Sequence, residues 1–245
     1  MSLTENIINE VKNKKLHFAL LDPEDQTPRR AGLLAKTAED AGSSAIMVGG
    51  STLSSCEQVD ETVRSIKRST NIPVVIFPSA AKFLSRYADG IFFMSLLNSR
   101  NLDYVIREHV KAAPFIKKSG LEPLSMGYLI VEPGMVAGEI GEVDLVKRDD
   151  VGTAVGYALS AQYLGMNFFY LEAGSGASQP VSDEMISAVK ENTDISLIVG
   201  GGIRDAETAE SKTRAGADII VTGTALEEDT ELDKTLTGII EAIQK

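Results

Sequence analysis

Eight short apolar runs, spread along the 245 residues, constrain the fold more than any other feature. Each run is apolar throughout, with no alternation of apolar and polar residues, and this predicts strands that are covered on both faces. Helical stretches such as RRAGLLAKTAEDAG and VGTAVGYALSAQYLG separate the runs. Strands that alternate with helices predict a parallel sheet, either closed or doubly wound. The runs occupy residues 16–21, 45–50, 73–78, 90–97, 123–130, 167–172, 195–200 and 217–223.

The spacing of the runs favours a closed (β/α)8 TIM barrel, an α/β fold. It is close to uniform, and the first run is as apolar as the central ones, so none has the character of an edge strand. Residues 79–89, between the third and fourth runs, are too few for a full helix with its loops. Residues 131–150, after the fifth run, form instead a long segment with several glycines. We therefore expect one domain over 1–245, with a shortened connection between strands 3 and 4.

Composition excludes several classes of function. The net charge of −11 argues against a nucleic-acid partner. The single cysteine, Cys56, excludes a disulfide within the chain and a CxxC metal or redox site. The chain has no run of about 20 apolar residues and no apolar signal stretch at its start, so we expect a cytoplasmic protein.

Glycine-rich turns follow the seventh and eighth predicted strands, in LIVGGGIRDAETA (197–209) and VTGTALEED (221–229). Such turns expose backbone N–H groups to an anion at the start of a helix. Phosphate bound between these two loops is a recurrent arrangement in barrels, although glycines there also simply make tight turns. No GK[ST] follows, so this is not a P-loop, and the first strand lacks the Rossmann glycines. A third such turn, EAGSGAS (172–178), points to the same side.

The sixth predicted strand ends in two polar residues. Tyr170 and Glu172 are two apart and therefore share a face with Phe168. An acid at the mouth of an apolar strand is costly unless it is solvated, paired or used. Glu172 is accordingly either a general base beside a bound phosphate or one half of a strand-end salt bridge, and we favour the base. Tyr170 is equally compatible with core packing and with ligand contact.

The first predicted strand ends in LLDPED. Asp22 there either caps the loop, since Asp-Pro commonly opens a turn, or binds a hard metal such as Mg²⁺. Ser51, at the end of the neighbouring second strand, could supply another oxygen. The spacing of Asp22 and Ser51 does not by itself decide whether a metal binds there.

The remaining charged residues and histidines carry weaker signals. His17 begins a strand and indicates a structural role, whereas His109 is expected to be exposed on a helix. Four cations near strand ends could neutralise a diphosphate, although each is also typical of a solvated surface: Lys82, Arg86, Arg100 and Arg204.

These features together resemble the geranylgeranylglyceryl phosphate synthase family. The resemblance covers all the strand ends, over about residues 16–228, and YLEAGSG is its most specific part. SLLNSRN and GYLIVEPG are similar to the family's longer subgroup. The motifs that carry it, in chain order, are LHFALLDPED, MVGGS, FPS, SLLNSRN, YLEAGSGAS, VGGGIR and VTGTALEE.

The resemblance implies an enzyme that joins sn-glycerol 1-phosphate to geranylgeranyl diphosphate, which forms the first ether bond of archaeal membrane lipids. It implies Mg²⁺ as cofactor, held by Asp22 and Ser51, with Glu172 as the catalytic base. It also implies a homo-oligomer that contacts membranes peripherally through its lipid substrate. The positions that match the family's glycerol-phosphate site are Tyr170, Leu171, Glu172, Ala173, Gly174, Ser175, Gly176, Gly201, Gly202, Gly223 and Thr224.

Other functions remain as alternatives. One is a related prenyltransferase with a longer donor, and another is a barrel isomerase or lyase acting on a phosphorylated small molecule. An aldolase would need a buried strand-end lysine, which the predicted strands lack. A non-catalytic phosphate-binding barrel would not need both Asp22 and Glu172.

Overall fold

The computed structural model describes residues 1–223 and 232–245. Its parallel strands form a closed barrel in sequence order, with β8 pairing back onto β1, and this confirms the predicted (β/α)8 TIM barrel. The strands are β1 (Leu16–Leu21), β2 (Ala45–Val48), β3 (Val74–Ile76), β4 (Gly90–Leu96), β5 (Glu122–Ile130), β6 (Phe168–Glu172), β7 (Ser196–Gly200) and β8 (Ile219–Thr222).

The helices surround the barrel, and none in the described part of the chain is long and apolar enough to cross a membrane. Between β3 and β4 there is only a 3₁₀ turn, Ala81–Phe83, so the predicted shortening is confirmed. A π-helical turn, Asp103–Arg107, leads into α4. The described helices are α1 (Leu3–Val11), α2 (Pro28–Ala41), α3 (Cys56–Ser69), α4 (Glu108–Ser119), α5 (Met135–Ile140), α6 (Val151–Tyr163), α7 (Asp183–Asn192), α8 (Ala206–Arg214) and α9 (Leu232–Ile243).

The amino-terminal end of the barrel is closed by α1. The Glu122 carboxylate, at the start of β5, accepts hydrogen bonds from the Leu3 and Thr4 N–H groups, each at 2.7 Å. A carboxylate at a helix start satisfies N–H groups that have no partner within the helix. Ile7 and Ile8 of the same helix pack against the core inside the barrel. The opposite end is therefore the open one.

Side chains alternate between the inside and the outside of the barrel along each strand, as the two-residue period requires. Phe18 of β1 and Phe168 and Tyr170 of β6 belong to the inner core. Leu171, between Tyr170 and Glu172, belongs instead to the layer between the barrel and its helices. The predicted shared face of Phe168 and Tyr170 is thus confirmed. The same alternation carries Asp22 and Glu172 to the open mouth.

His17 is buried on β1 and hydrogen-bonded at both ring nitrogens. Nδ1 lies 2.8 Å from Ser43 Oγ, and Nε2 lies 2.9 Å from Thr222 Oγ1, the last residue of β8. Burial lowers the pKa of His17 to about 4. The imidazole is therefore neutral in the folded protein, in keeping with the structural role predicted for it.

This buried histidine predicts a pH-dependent stability. Between its unfolded pKa of 6.5 and its folded pKa of about 4, only the unfolded chain binds the extra proton. The contribution of His17 should thus be full above pH 6.5 and fall by up to about 3 kcal/mol toward pH 4. Urea unfolding of the wild type and of His17→Gln at several pH values would measure this. The variant should lose less stability over that window, and identical pH profiles would contradict the prediction.

Candidate active site

A small pocket of about 40 Å³ opens at the mouth between the loops that follow β6, β7 and β8. It brings together side chains and glycines that lie far apart in sequence, most of them predicted site residues. The described residues that line this small pocket are Leu20, Tyr170, Glu172, Ser175, Gly176, Gly201, Gly202, Ile203, Arg204, Val221, Thr222 and Gly223.

Three of the predicted glycerol-phosphate positions that the structure describes do not line the small pocket. The side chains of Leu171 and Ala173 are buried in the outer core. Gly174 contributes its N–H to Glu172 and lies close to Gly134. Thr224 lies outside the described residues. Any role of the first three in binding would therefore be limited to the backbone or to holding the loop in place.

Glu172 is the central acid of the mouth, and its side chain is held in place on two sides. Its Oε1 accepts a hydrogen bond of 2.6 Å from the Gly174 N–H, and the Tyr170 hydroxyl also donates to the carboxylate. Burial raises the pKa of Glu172, while these two hydrogen bonds act in the opposite direction. Raised proton affinity in a fixed carboxylate suits a residue that accepts a proton during a reaction.

Gly201 allows this carboxylate to sit where it does. Its φ of +83° is in the left-handed region, and a Cβ at this position would overlap Glu172 Oε1. The same Cβ would also come within 2.8 Å of the Ala173 nitrogen. At Gly200, a Cβ would overlap the Tyr170 hydroxyl. The β7 glycines therefore make room for the two polar side chains of β6, in addition to exposing backbone N–H groups.

A larger cavity of about 210 Å³ lies on the other side of Glu172. Its wall is mainly apolar and aromatic, and it includes Ala81 of the 3₁₀ turn between β3 and β4. Phe77 and Tyr128 pack edge to face with centroids 5.5 Å apart, and Tyr128 lies 5.1 Å from Tyr170. Apolar side chains that line this large cavity include Leu84, Ile91, Phe92, Phe93, Met94, Leu96, Tyr104, Ile130, Ala137 and Ile140.

The charged groups of the large cavity are acidic. Asp22, Asp25, Glu108 and Glu172 line it, and its described lining contains no Lys or Arg. Burial raises the pKa of Asp22 to about 6, because the ionised carboxylate loses solvation there. An anionic ligand here would need a positive ion as well.

Asp22 and Ser51 both line the large cavity, as does Gly50. A Cβ at Gly50 would overlap the Asp22 carboxylate, so the glycine lets that carboxylate reach the end of β2. No group of three or more His, Cys, Asp or Glu suited to a metal occurs in the described residues. Mg²⁺ does not need such a group, because it takes few protein oxygens and completes its shell with water and phosphate. The residues present therefore fit Mg²⁺ bound together with a phosphorylated ligand.

The small pocket and the large cavity meet at a common wall. Leu20, Glu172, Ser175 and Gly223 line both. A ligand in one therefore lies next to a ligand in the other, with the Glu172 carboxylate between them. This arrangement can bring an anion-bearing molecule and an apolar molecule together beside a base.

Two residues of the mouth were not expected from the sequence. His109 is half-buried, lines the large cavity and packs edge-on against Phe93 at 4.5 Å, so its predicted exposure is wrong. Glu108 beside it accepts a 2.7 Å hydrogen bond from the Ala81 N–H, at the 3₁₀ turn. Both residues line the cavity because of how α4 packs against this short turn. No local sequence pattern encodes that packing, so sequence reasoning could not identify them.

Fold and mouth together define a (β/α)8 barrel whose open end places the Glu172 carboxylate between a glycine-lined pocket and a mainly apolar cavity. The PcrB family model matches residues 8–243, and the chain belongs to the PcrB family. Geranylgeranylglyceryl phosphate synthase of Methanosarcina mazei is 51% identical over 96% of this chain and 95% of its own. That of Thermococcus kodakarensis is 51% identical over 94% of this chain and 92% of its own.

Solved structures agree with this assignment. The crystal structure of (S)-3-O-geranylgeranylglyceryl phosphate synthase from Thermoplasma acidophilum, in complex with its substrate sn-glycerol-1-phosphate, is 43% identical with a TM-score of 0.97. The match covers 100% of this chain and 99% of that one. A thiamine phosphate pyrophosphorylase from Pyrococcus furiosus, 14% identical with a TM-score of 0.63, shares the fold alone.

The contact of Gly201 with Glu172 predicts that Gly201→Ala displaces the carboxylate. The added methyl group and the positive φ should together cost about 1–3 kcal/mol of stability. Isothermal titration with glycerol 1-phosphate, alongside thermal unfolding, would measure both effects. Gly156→Ala is the matched control, since its Cβ meets open space on α6 and should slightly stabilise the helix. Unchanged binding and stability in Gly201→Ala would show that the contact is not required.

Proposed function

We propose that this protein joins sn-glycerol 1-phosphate to geranylgeranyl diphosphate, giving 3-O-geranylgeranylglyceryl 1-phosphate and diphosphate. The observation that carries the proposal is the common wall of the two sites, where Glu172 separates a glycine-lined pocket from an apolar cavity. The curated names of the relatives and the ligand in the Thermoplasma acidophilum structure support the same activity.

The acceptor, glycerol 1-phosphate, would occupy the small pocket. Its phosphate would meet the backbone N–H groups of the loops at Gly176, Gly201, Gly202 and Gly223. Its primary hydroxyl would then lie beside Glu172, which takes the proton as the oxygen bonds to carbon 1 of the donor. That carbon loses its bond to the diphosphate, which leaves with the bonding electrons. Glycines that fix the phosphate thereby also orient the hydroxyl.

The donor would occupy the large cavity. Its prenyl chain is apolar and matches the Phe, Tyr, Met and Leu side chains that line this cavity. The hydroxyl groups of Tyr128 and Tyr170 stay protonated, because burial and then the nearby Glu172 raise both pKa values well above 10. They therefore add no negative charge where the diphosphate departs.

We further propose that Asp22 and Ser51 hold Mg²⁺ at the end of the large cavity. When bound, the ion would offset the charge of the leaving diphosphate. The acidic lining supports a cation here, since the described residues of the cavity supply no Lys or Arg.

Because the prenyl donor is apolar, we also propose that the protein acts at a membrane surface, on the cytoplasmic side. That it forms a homo-oligomer remains a prediction, which light scattering would check.

The competing enzyme classes have less support. An aldolase needs a lysine in its site, and the described lining of neither site contains one. The likeness to thiamine phosphate pyrophosphorylase is one of fold alone. A phosphosugar isomerase would also have no use for an apolar cavity next to its base.

Incubation with Mg²⁺, radiolabelled glycerol 1-phosphate and prenyl diphosphates of several lengths tests the proposed function. Label should move into an organic-extractable product, and the series of donors would show whether a longer chain is preferred. If no donor of any length yields such a product, the prenyl-transfer proposal fails.

Glu172→Gln should keep glycerol 1-phosphate binding and lose turnover. The amide preserves shape and can still accept the Gly174 hydrogen bond, but it cannot take the proton. We expect kcat to fall about 10²- to 10⁴-fold with a small change in Kd. Calorimetry and the label-transfer assay measure the two quantities separately. Glu207→Gln, an exposed change of the same charge on α8, is the control, and wild-type turnover in Glu172→Gln would remove Glu172 from the mechanism.

Asp22→Asn should raise the Mg²⁺ concentration needed for half-maximal activity by about tenfold or more. Because the pKa of Asp22 is about 6, protonation should compete with the metal in the wild type below pH 6. The wild-type Mg²⁺ requirement should therefore rise as the pH falls, and this rise should be smaller in Asp22→Asn, where only the diphosphate still takes up a proton. Asp40→Asn, at an exposed position of α2, controls for the lost charge. A Mg²⁺ titration that is unchanged in Asp22→Asn would exclude Asp22 as a ligand.

A further inference from the structure

Among the described residues that line the small pocket, Arg204 is the only Lys or Arg. We propose that Arg204 binds the phosphate of the acceptor directly and so selects a phosphorylated acceptor. This inference rests on the proposed function and adds to it a side chain that the resemblance did not assign. The sequence offered Arg204 only as one of four cations that could neutralise a diphosphate.

Arg204 is exposed, and its side chain is hydrogen-bonded to a loop that also lines the small pocket. It follows directly on the β7 turn, after Gly201, Gly202 and the buried Ile203. Its Nη2 donates a 2.7 Å hydrogen bond to the Gly176 carbonyl, in the loop after β6. The guanidinium therefore spans the two loops whose N–H groups line the pocket. A guanidinium has five N–H donors, so it can keep this bond and still bind phosphate oxygens in a bidentate manner.

The negative charge in and around the small pocket has to be offset by a positively charged side chain if a phosphate is to bind there. The chain has a net charge of −11, and Glu172 places a carboxylate in the same pocket. A phosphate dianion beside that carboxylate would be repelled, and most strongly where water is excluded. Residues 224–231, which adjoin the pocket in sequence, include four acids and neither Lys nor Arg. Arg204 is thus the side chain placed to offset the repulsion.

The other three cations suggested by sequence lie elsewhere. Lys82 lies over the ring of Phe83, with Nζ 4.7 Å from the centroid. Arg100 is exposed and pairs with Asp144 at 3.4 Å. Arg86 is exposed and lines neither site. None of them can replace Arg204 at the acceptor phosphate.

The test compares Arg204→Gln, Arg204→Lys and the control Arg214→Gln, which removes the same charge from the exposed end of α8. Equilibrium binding of labelled glycerol 1-phosphate, without donor, is measured together with steady-state kinetics. Arg204→Gln should raise Kd and KM for glycerol 1-phosphate roughly 10- to 100-fold, with kcat changed by less than about threefold. Arg204→Lys should recover part of the lost affinity, because lysine restores the positive charge but not the bidentate geometry of the guanidinium.

The salt dependence of glycerol 1-phosphate binding distinguishes an electrostatic role of Arg204 from a structural one. Wild-type binding should weaken as KCl rises, and Arg204→Gln should show a smaller slope because one attractive charge is gone. Arg214→Gln should match the wild type in slope and in Kd. A purely structural role for Arg204 would leave the slope unchanged.

Several outcomes would overturn this inference. Unchanged Kd in Arg204→Gln would refute the role of Arg204 while leaving the proposed function intact. A rise in KM for the prenyl diphosphate alone would assign the side chain to the donor. Equal losses in the Gln and Lys variants, with equally lowered Tm, would limit Arg204 to bracing the Gly176 loop. Absence of glycerol 1-phosphate binding by the wild type would refute the acceptor and Arg204 together.

Discussion

The close approach of the Glu172 carboxylate to Gly201 is the contact on which the mouth of this barrel depends. A Cβ at Gly201 would overlap Glu172 Oε1, and the Gly174 N–H holds the same oxygen at 2.6 Å. A buried carboxylate is costly unless hydrogen bonds compensate it, and here β6 and its own loop supply them. Since the β7 turn must stay free of side chains to make this room, the turn also exposes its N–H groups to an anion. One constraint thereby shapes both the position of the Glu172 carboxylate and the glycine-lined small pocket.

The small pocket and the large cavity differ in the charged side chains that they present to a negatively charged ligand. The small pocket, lined by glycine turns, includes one guanidinium, whereas the described lining of the large cavity has acids and no Lys or Arg. Arg204 and backbone N–H groups are thus available to a phosphate in the small pocket, whereas we propose that a bound metal ion supplies the positive charge in the large cavity. Under the proposed function, this difference would let a chain with a net charge of −11 act on two phosphorylated substrates without attracting them at long range.

Much of the site could be predicted because strand periodicity is a local property. The two-residue alternation placed Tyr170 and Glu172 together on the inner face, and the short segment 79–89 correctly indicated a missing helix. The same reasoning failed for His109, whose half-burial depends on how α4 packs beside the shortened connection. It also ranked Arg204 equally with three other cations, because the contact of Arg204 with Gly176 joins two loops that are distant in sequence.

The sequence by itself determined the closed barrel, its order of strands and the glycine turns at the ends of β7 and β8. Apolar runs with a uniform spacing leave few other ways to bury so much surface, and residue parity follows from backbone geometry alone. Only the tertiary structure decided that Glu172 stands between two sites, that Asp22 reaches over Gly50 and that Arg204 bridges two loops. Those facts depend on distances between residues brought together by closure of the barrel, and no pattern within one segment encodes them.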